Sequence, residues 1–245
     1  MKRIIAFTSG KGGSGKSTCS VSVGNALAHM GHKVLLCDLD AGLRCLDLLT
    51  GVEENLVFDL KDVLEGKPLE SAVIESPLNQ NIFTLAAPKY NYDIDGDKLS
   101  SMLLSADGYD YILLDFPAGT DFPFCDKIAD IADFIVVATA DRVGMRDGDA
   151  MTQKLMSFGA NCRLIINKFD RRLVKQGTFG GVDDIIDCCG CRLLGIVPYD
   201  PLMLSRKQGK FYKRTLTKRA FERISKRICG YEIHLPRIKK IEKGK

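Results

Sequence analysis

Short, nearly continuous apolar runs recur along the chain, at residues 3–7, 33–37, 82–86, 111–114, 134–138, 163–166 and 193–197. Because these runs do not alternate with polar positions, they read as strands covered on both faces. The segments between them are long enough for crossover helices. The pattern therefore predicts an α/β protein: a three-layer, mostly parallel twisted sheet flanked by helices. Residues 18–30 read as a helix that offers Val21, Val23, Ala26, Leu27 and Met30 for packing. Residues 216–229 read as the last helix. There Leu216, Ala220, Ile224 and Ile228 recur every four positions, Phe221 widens the apolar face, and Gly230 is placed to end it. No repeat or linker divides the chain, so residues 1–230 are expected to form one domain and residues 231–245 a short basic tail.

The turn after the first run reads GKGGSGKST, residues 10–18. Gly10, Gly15, Lys16 and Ser17 satisfy the G-x-x-x-x-G-K-[ST] pattern of a phosphate loop, between a strand and a helix as that motif requires. Glycines at Gly10, Gly12, Gly13 and Gly15 let backbone N–H groups turn toward phosphate oxygens, and Ser14 and Thr18 complete the cradle. Lys16 would neutralise the β- and γ-phosphates of ATP, and the Ser17 hydroxyl would ligate Mg²⁺. Lys11 is a second lysine in the same loop. Its ammonium would repel Lys16 unless an anion lies between them or Lys11 points away.

Ligands of open α/β sheets bind beyond the carboxyl ends of the strands. Asp115 ends the run at 111–114, where a phosphate-loop ATPase places a carboxylate for Mg²⁺. Asp38 and Asp40 end the second run.

These residues carry a resemblance to a known family. The GKGGxGK[ST] loop resembles the deviant phosphate loop of the MinD/ParA ATPases. Residues 38–47, DLDAGLRCLD, are similar to the D-x-D-x-G-L-R-N-L-D segment of the MinD branch, and residues 115–119, DFPAG, to its D-x-P-A-G. Arg146-Asp147 matches an R-D pair near the family's dimer face. The likeness runs from Met1 to about Gly230. It implies a homodimer formed on ATP binding, in which Lys11 reaches the partner subunit's ATP. It further implies that Asp40 orients the attacking water while Lys11 and Lys16 stabilise charge, and that Ser17, Asp38 and Asp115 hold Mg²⁺ directly or through water. By the same resemblance, Asn167 reads the adenine ring, bordered by Pro198 and Asp200. Hydrolysis by an isolated subunit is expected to be slow, because the constellation lacks a partner's Lys11.

The cellular role implied is placement of the division septum. The implied partners are a septation inhibitor, a topological-specificity protein that stimulates hydrolysis, and an anionic membrane surface. Other branches of the fold remain as alternatives: a flagellar-number regulator, an iron–sulfur scaffold ATPase and a DNA-partition ATPase. The sequence departs from the MinD pattern in three places. Cys45 replaces an asparagine, residues 140–143 read ADRV in place of P-E-x-S, and the tail offers only Leu235, Ile238 and Ile241 with five basic residues as a membrane anchor.

Composition changes this picture little. Hydrophobic residues make up 45% and charged residues 27%, near globular averages. No apolar stretch is long enough to span a bilayer, and the apolar start is too short for a signal peptide. The expected location is therefore cytoplasmic, with ATP-dependent association with the inner face of the cell membrane. The nine cysteines lack paired spacing and read as reduced core residues, apart from the C-x-x-C of Cys188 and Cys191. With only His29, His32 and His234 available, a zinc site within one subunit is poorly supported, while a site shared across a dimer stays open. The net charge of +4 divides into +12 over residues 206–245 and −8 elsewhere. Such a basic segment suits an anionic surface, although it also fits the solvated face of a final helix. A nucleic-acid partner is not expected.

Overall fold

Where the apolar runs are continuous, the chain forms strands buried on both faces. In a computed structural model, the structure describes residues 2–170, 172, 181–203 and 215–235. Its strands are β1 (Arg3–Thr8), β2 (Val34–Asp38), β3 (Ile74–Glu75), β4 (Ile82–Leu85), β5 (Tyr111–Asp115), β6 (Ala132–Thr139), β7 (Cys162–Phe169) and β8 (Arg192–Pro198). They pair in the order β3-β4-β2-β5-β1-β6-β7-β8. All pairings are parallel except that of β3 with β4. The expected mostly parallel sheet is therefore found. The two-residue β3 was not anticipated, because so short an edge strand has no periodicity to read.

The principal helices are α1 (Lys16–His29), α2 (Gly96–Ser105), α3 (Arg142–Ser157), α4 (Val182–Cys189) and α5 (Leu216–Ile228). One face of the sheet packs against Leu99 and Leu103 of α2, Met151 and Leu155 of α3, and Ile185 of α4. The other packs against Val23 and Leu27 of α1 and Phe221 and Ile224 of α5. Ser225 of α5 donates to the Val23 carbonyl of α1 at 3.3 Å, tying those two helices together.

Two helix expectations need correction. The first helix begins at Lys16, two residues before the predicted start, because Gly15 takes a left-handed conformation (φ 87°) and turns the chain into the helix there. On α5 the buried stripe contains Thr217 and Ser225, while Leu216 is only half-buried. Ser225 fits against α1 and Thr217 against Asp200, whereas apolar periodicity had favoured Leu216. Of the basic face, Arg227 turns inward and donates to the carbonyls of Leu194 (2.6 Å) and Ile233. Residues 236–245, with Ile238 and Ile241, and residues 206–214 of the basic segment lie outside the described residues.

The parallel register brings the chemistry to one edge. Phe7 and Asp38 both pair with Asp115, so β1, β2 and β5 end side by side where the phosphate loop leaves β1.

Candidate functional site

The loop of residues 10–18 is shaped by what glycine permits. A side chain at Gly10 would strike the Asp147 backbone on α3, and one at Gly15 would strike the Asn167 amide. Gly13 and Gly15 have φ of 77° and 87°, a region that L side chains rarely adopt. Two side chains from the end of β7 clamp the loop from outside. Asn167 Nδ2 donates to the Ser14 carbonyl at 2.8 Å, and Lys168 Nζ to the Gly13 carbonyl at 2.6 Å. Lys168 has φ 53°. Nothing in the sequence pattern singled it out, since only the backbone turn aims it at the loop.

The loop ends on α1, whose N-cap Gly15 provides no side-chain cap and whose first turn holds no acidic residue. The first N–H groups of the helix are therefore available to an anion, which the helix dipole also favours. The buried Ser14 hydroxyl has no partner. These unsatisfied donors fit a polyphosphate.

Lys16 and Asp115 form the centre of the site. Lys16 Nζ lies 2.7 Å from Asp115 Oδ1, and both side chains are buried. Burial pushes the Asp115 carboxyl above its usual range, and the Lys16 ammonium partly offsets this. The Ser17 hydroxyl accepts from Lys16 Nζ at 3.3 Å and, beside Asp115, also opposes the rise of its carboxyl. Asp115 Oδ2 has no hydrogen-bond partner although it is buried, which is costly unless something satisfies it. Among the described residues no group of three or more His, Cys, Asp or Glu side chains could hold a metal alone. A hard cation that takes few protein ligands and completes its shell with phosphate oxygens and water fits Ser17 and Asp115, and Mg²⁺ is such a cation.

Asp38 is engaged differently. Its Oδ1 accepts from the Asp40 N–H and its Oδ2 from the N–H groups of Cys45 and Leu46, all at 3.0 Å. Burial, reinforced by Asp115, raises it to about 6 against these three donors. Its carboxylate is thus largely occupied in anchoring the loop of residues 39–46. Asp40, on that loop, is half-buried and raised by burial, with Lys16 opposing the rise. Burial pushes the Cys45 thiol up to about 11, with the nearby Ser17 hydroxyl opposing the rise.

Lys11 points away from Lys16. Its Nζ lies 3.2 Å from Asp141 Oδ1, at the start of α3. Asp141 also accepts from the Gly144 N–H at 2.9 Å and from the Thr139 hydroxyl. Burial alone would raise Asp141, but the bonds from Thr139, Gly144 and Lys11 outweigh it and hold the carboxyl below its usual range. The sequence singled out residues 140–143 only as a departure from the family pattern and gave Asp141 no role.

The remaining candidates lie on or beside β7, β8 and α3. Pro198 ends β8, and Asp200 accepts from the Thr217 hydroxyl at 3.1 Å. Asn167 reaches the loop, as described. Arg146 is exposed and pairs with its neighbour Asp147 at 3.2 Å. The C-x-x-C cysteines lie at the opposite strand ends. Cys188 is exposed and Cys191 buried, remote from the phosphate-loop edge.

Residues 5–210 match the CobQ/CobB/MinD/ParA nucleotide binding domain. The chain is 34% identical over 239 residues to the putative septum site-determining protein MinD of Oltmannsiellopsis viridis, which spans 93% of this chain and 76% of that protein. It is 34% identical over 243 residues to the septum site-determining protein MinD of Synechocystis, spanning 95% and 91%. Among solved structures it resembles the MinC:MinD cell division protein complex of Aquifex aeolicus, with a TM-score of 0.86, 33% identity, and 96% and 99% of the two chains covered. It also resembles MinD complexed with Mg-ADP from Pyrococcus horikoshii, with a TM-score of 0.80, 27% identity, and 93% and 96% covered.

Proposed function

The chain belongs to the CobQ/CobB/MinD/ParA family of nucleotide-binding proteins, and from that footing we propose that it is a MinD-like ATPase switch that regulates placement of the division septum. It hydrolyses ATP to ADP and phosphate, using Mg²⁺. The observation that carries this reading is the opposite orientation of two lysines in one loop. Lys16 is buried against Asp115, whereas Lys11 faces outward on Asp141.

Magnesium bound with ATP supplies neutralisation of charge across the β- and γ-phosphates. Ser17 and Asp115 would hold it directly or through water, with Asp38 behind them bracing the adjoining loop. Lys16 exchanges Asp115 for phosphate when nucleotide enters, which frees the carboxylate for the cation. The α1 N-terminus and the Ser14 hydroxyl bind phosphate oxygens, while Asn167 and Lys168 keep the loop in shape. Asp40 orients the attacking water. Asn167, Pro198 and Asp200 border the base. Lys11 leaves Asp141 and crosses to the nucleotide of a second subunit, so that ATP binding and dimerisation become one event. Charge stabilisation by Lys11 and Lys16 is then complete only in the dimer, and an isolated subunit hydrolyses slowly.

A septation inhibitor is the proposed protein partner, in line with the similarity to the MinC:MinD complex. A topological-specificity protein would stimulate hydrolysis. Among the described residues no helix is long and apolar enough to cross a membrane, so any attachment to the inner face of the cell membrane would be peripheral, through the tail at 231–245. The iron–sulfur alternative loses support: Cys191 meets Thr152 at 3.5 Å, and Cys188 and Cys191 sit at the sheet end away from the nucleotide edge.

Light scattering after gel filtration, with ATP and with ADP, tests the reading. The intact chain should dimerise with ATP only. Lys16→Ala should remain monomeric because it loses nucleotide, and Lys11→Ala should remain monomeric while still binding ADP. An ATP dimer that survives Lys11→Ala would overturn the proposed exchange. Sedimentation with anionic liposomes, with and without residues 231–245, tests the membrane step.

A further inference from the structure

Arg163 of β7 pairs with Arg192 of β8, and one step earlier come Cys162, the first residue of β7, and Cys191, the residue just before β8. Neighbouring strands lie about 4.8 Å apart, within the span of roughly 4.4–6.8 Å that a disulfide bridges between Cα atoms. Both side chains belong to the face covered by α3 and α4. An open cleft of about 460 Å³ reaches both thiols and is also lined by Met156, Ile186, Asp187 and Arg192. Cys162 is partly exposed and Cys191 nearly buried. The Thr152 hydroxyl of α3 donates to Cys191 Sγ at 3.5 Å.

We propose that Cys162 and Cys191 form a redox-active dithiol that exchanges with a small zwitterionic disulfide entering this cleft, closing to an intramolecular disulfide. The reading does not depend on nucleotide chemistry. Cys162 is the more accessible of the two sulfurs, and the neighbouring Cys191 thiol favours its thiolate over its burial, while the same neighbour and burial hold Cys191 up as a thiol. Cys162 is therefore the attacking sulfur. Its thiolate bonds to one sulfur of the small disulfide R–S–S–R, whose S–S bond breaks to release RS⁻. That leaving thiolate takes up the Cys191 proton and departs as RSH. The Cys191 thiolate, supported by the Thr152 hydroxyl, then attacks Cys162 Sγ and expels the second RS⁻, which takes up the proton given off when Cys162 ionised. Two protein thiols are oxidised and one disulfide is reduced to two thiols. Asp187 and Arg192, which line the cleft, match the mixed charges of glutathione disulfide.

The other thiols are poor competitors for ring closure. Burial pushes Cys189 up to about 12, and its sulfur faces the Met145 carbonyl at 3.7 Å. Cys188 is exposed but is not paired across the strands. The closed disulfide would join β7 to β8 at the end of the sheet away from the phosphate loop.

The test uses the reduced full chain in glutathione/glutathione disulfide buffers, followed by intact mass and non-reducing peptide mapping. The expected product has lost two hydrogens and links Cys162 to Cys191. Cys191→Ser should instead accumulate a glutathione adduct on Cys162, and Cys162→Ser should lose both link and adduct at this cleft. Cys188→Ser should leave the link unchanged. Because the unmodified chain alone reports the link, a poorly folding variant does not decide the matter. A dominant link or adduct at Cys188, or no oxidation across the glutathione redox range, overturns the proposal.

Discussion

Lys11 and Asp141 are joined across the gap between the phosphate loop and the start of α3, with Nζ 3.2 Å from Oδ1. Asp141 is also the N-cap of that helix, accepting from the Gly144 N–H. One carboxylate thus starts a helix and holds the outward lysine of the nucleotide loop. In the proposed mechanism Lys11 must leave this contact before it can serve a second subunit. The pair is a restraint on dimerisation as well as a structural tie.

Asp141→Ser separates these two roles, because serine remains a good N-cap but carries no charge. Each subunit gives up one such pair on dimerising and an exposed ion pair contributes up to about 1 kcal/mol, so ATP-dependent dimerisation should strengthen by roughly thirtyfold or less. Analytical ultracentrifugation with ATP measures it, while the melting temperature should change little. A weaker dimer would show that Asp141 supports the associated state.

Lys16→Met leaves Asp115 buried without its cation. Breaking such a pair costs about 3–5 kcal/mol, and nucleotide binding should also disappear. Adding Asp115→Asn to this variant should recover part of the stability in urea unfolding, since the stranded charge is removed. Equal stability of single and double variants would mean that Asp115 is already uncharged there.

Asp38 predicts a pH dependence. Its folded value of about 6 lies above its usual one because of burial, so below pH 6 the folded state holds a proton that the unfolded chain has released. The contribution of this group to stability is full at low pH and falls as pH rises through about 6. The slope is about −1.4 kcal/mol per pH unit between the two values. Thermal unfolding between pH 4.5 and 7 should show this component in the intact chain and not in Asp38→Asn.

Gly15→Ala would place a side chain on a residue with φ 87°, against the Asn167 amide. The left-handed backbone alone costs about 1–2 kcal/mol. Nucleotide affinity should fall far more than stability, as read by calorimetric titration with ADP, because the loop loses its shape at the phosphate cradle.

Much of the fold was legible because burial on both faces leaves an unmistakable record in the chain. Runs such as 111–114 and 134–138 cannot be solvated surface, and the crossover segments then dictate parallel pairing. The phosphate loop was legible because glycine spacing is itself a statement about backbone conformation. The contacts of Lys11, Asn167 and Lys168 were not. They join residues more than a hundred positions apart, and nothing local distinguishes a lysine that pairs with Asp141 from one in solvent. Asp38 illustrates a subtler limit. The family resemblance implied a metal ligand there, whereas the fold adds three N–H donors that only the path of the next loop could supply. The pairing of Cys162 with Cys191 depends on strand register, which the C-x-x-C spacing concealed.

The loop after β2 and the short helix Leu46–Thr50 that follows it carry Leu43 and Leu48, which are 77% and 51% exposed. Three backbone N–H groups of this segment converge on the single Asp38 carboxylate, which lies in register with Asp115. An apolar surface is thereby suspended from the same strand ends that face the phosphate loop. Protonating or replacing the Asp38 carboxylate would therefore weaken three backbone hydrogen bonds at once and loosen the segment that carries this surface.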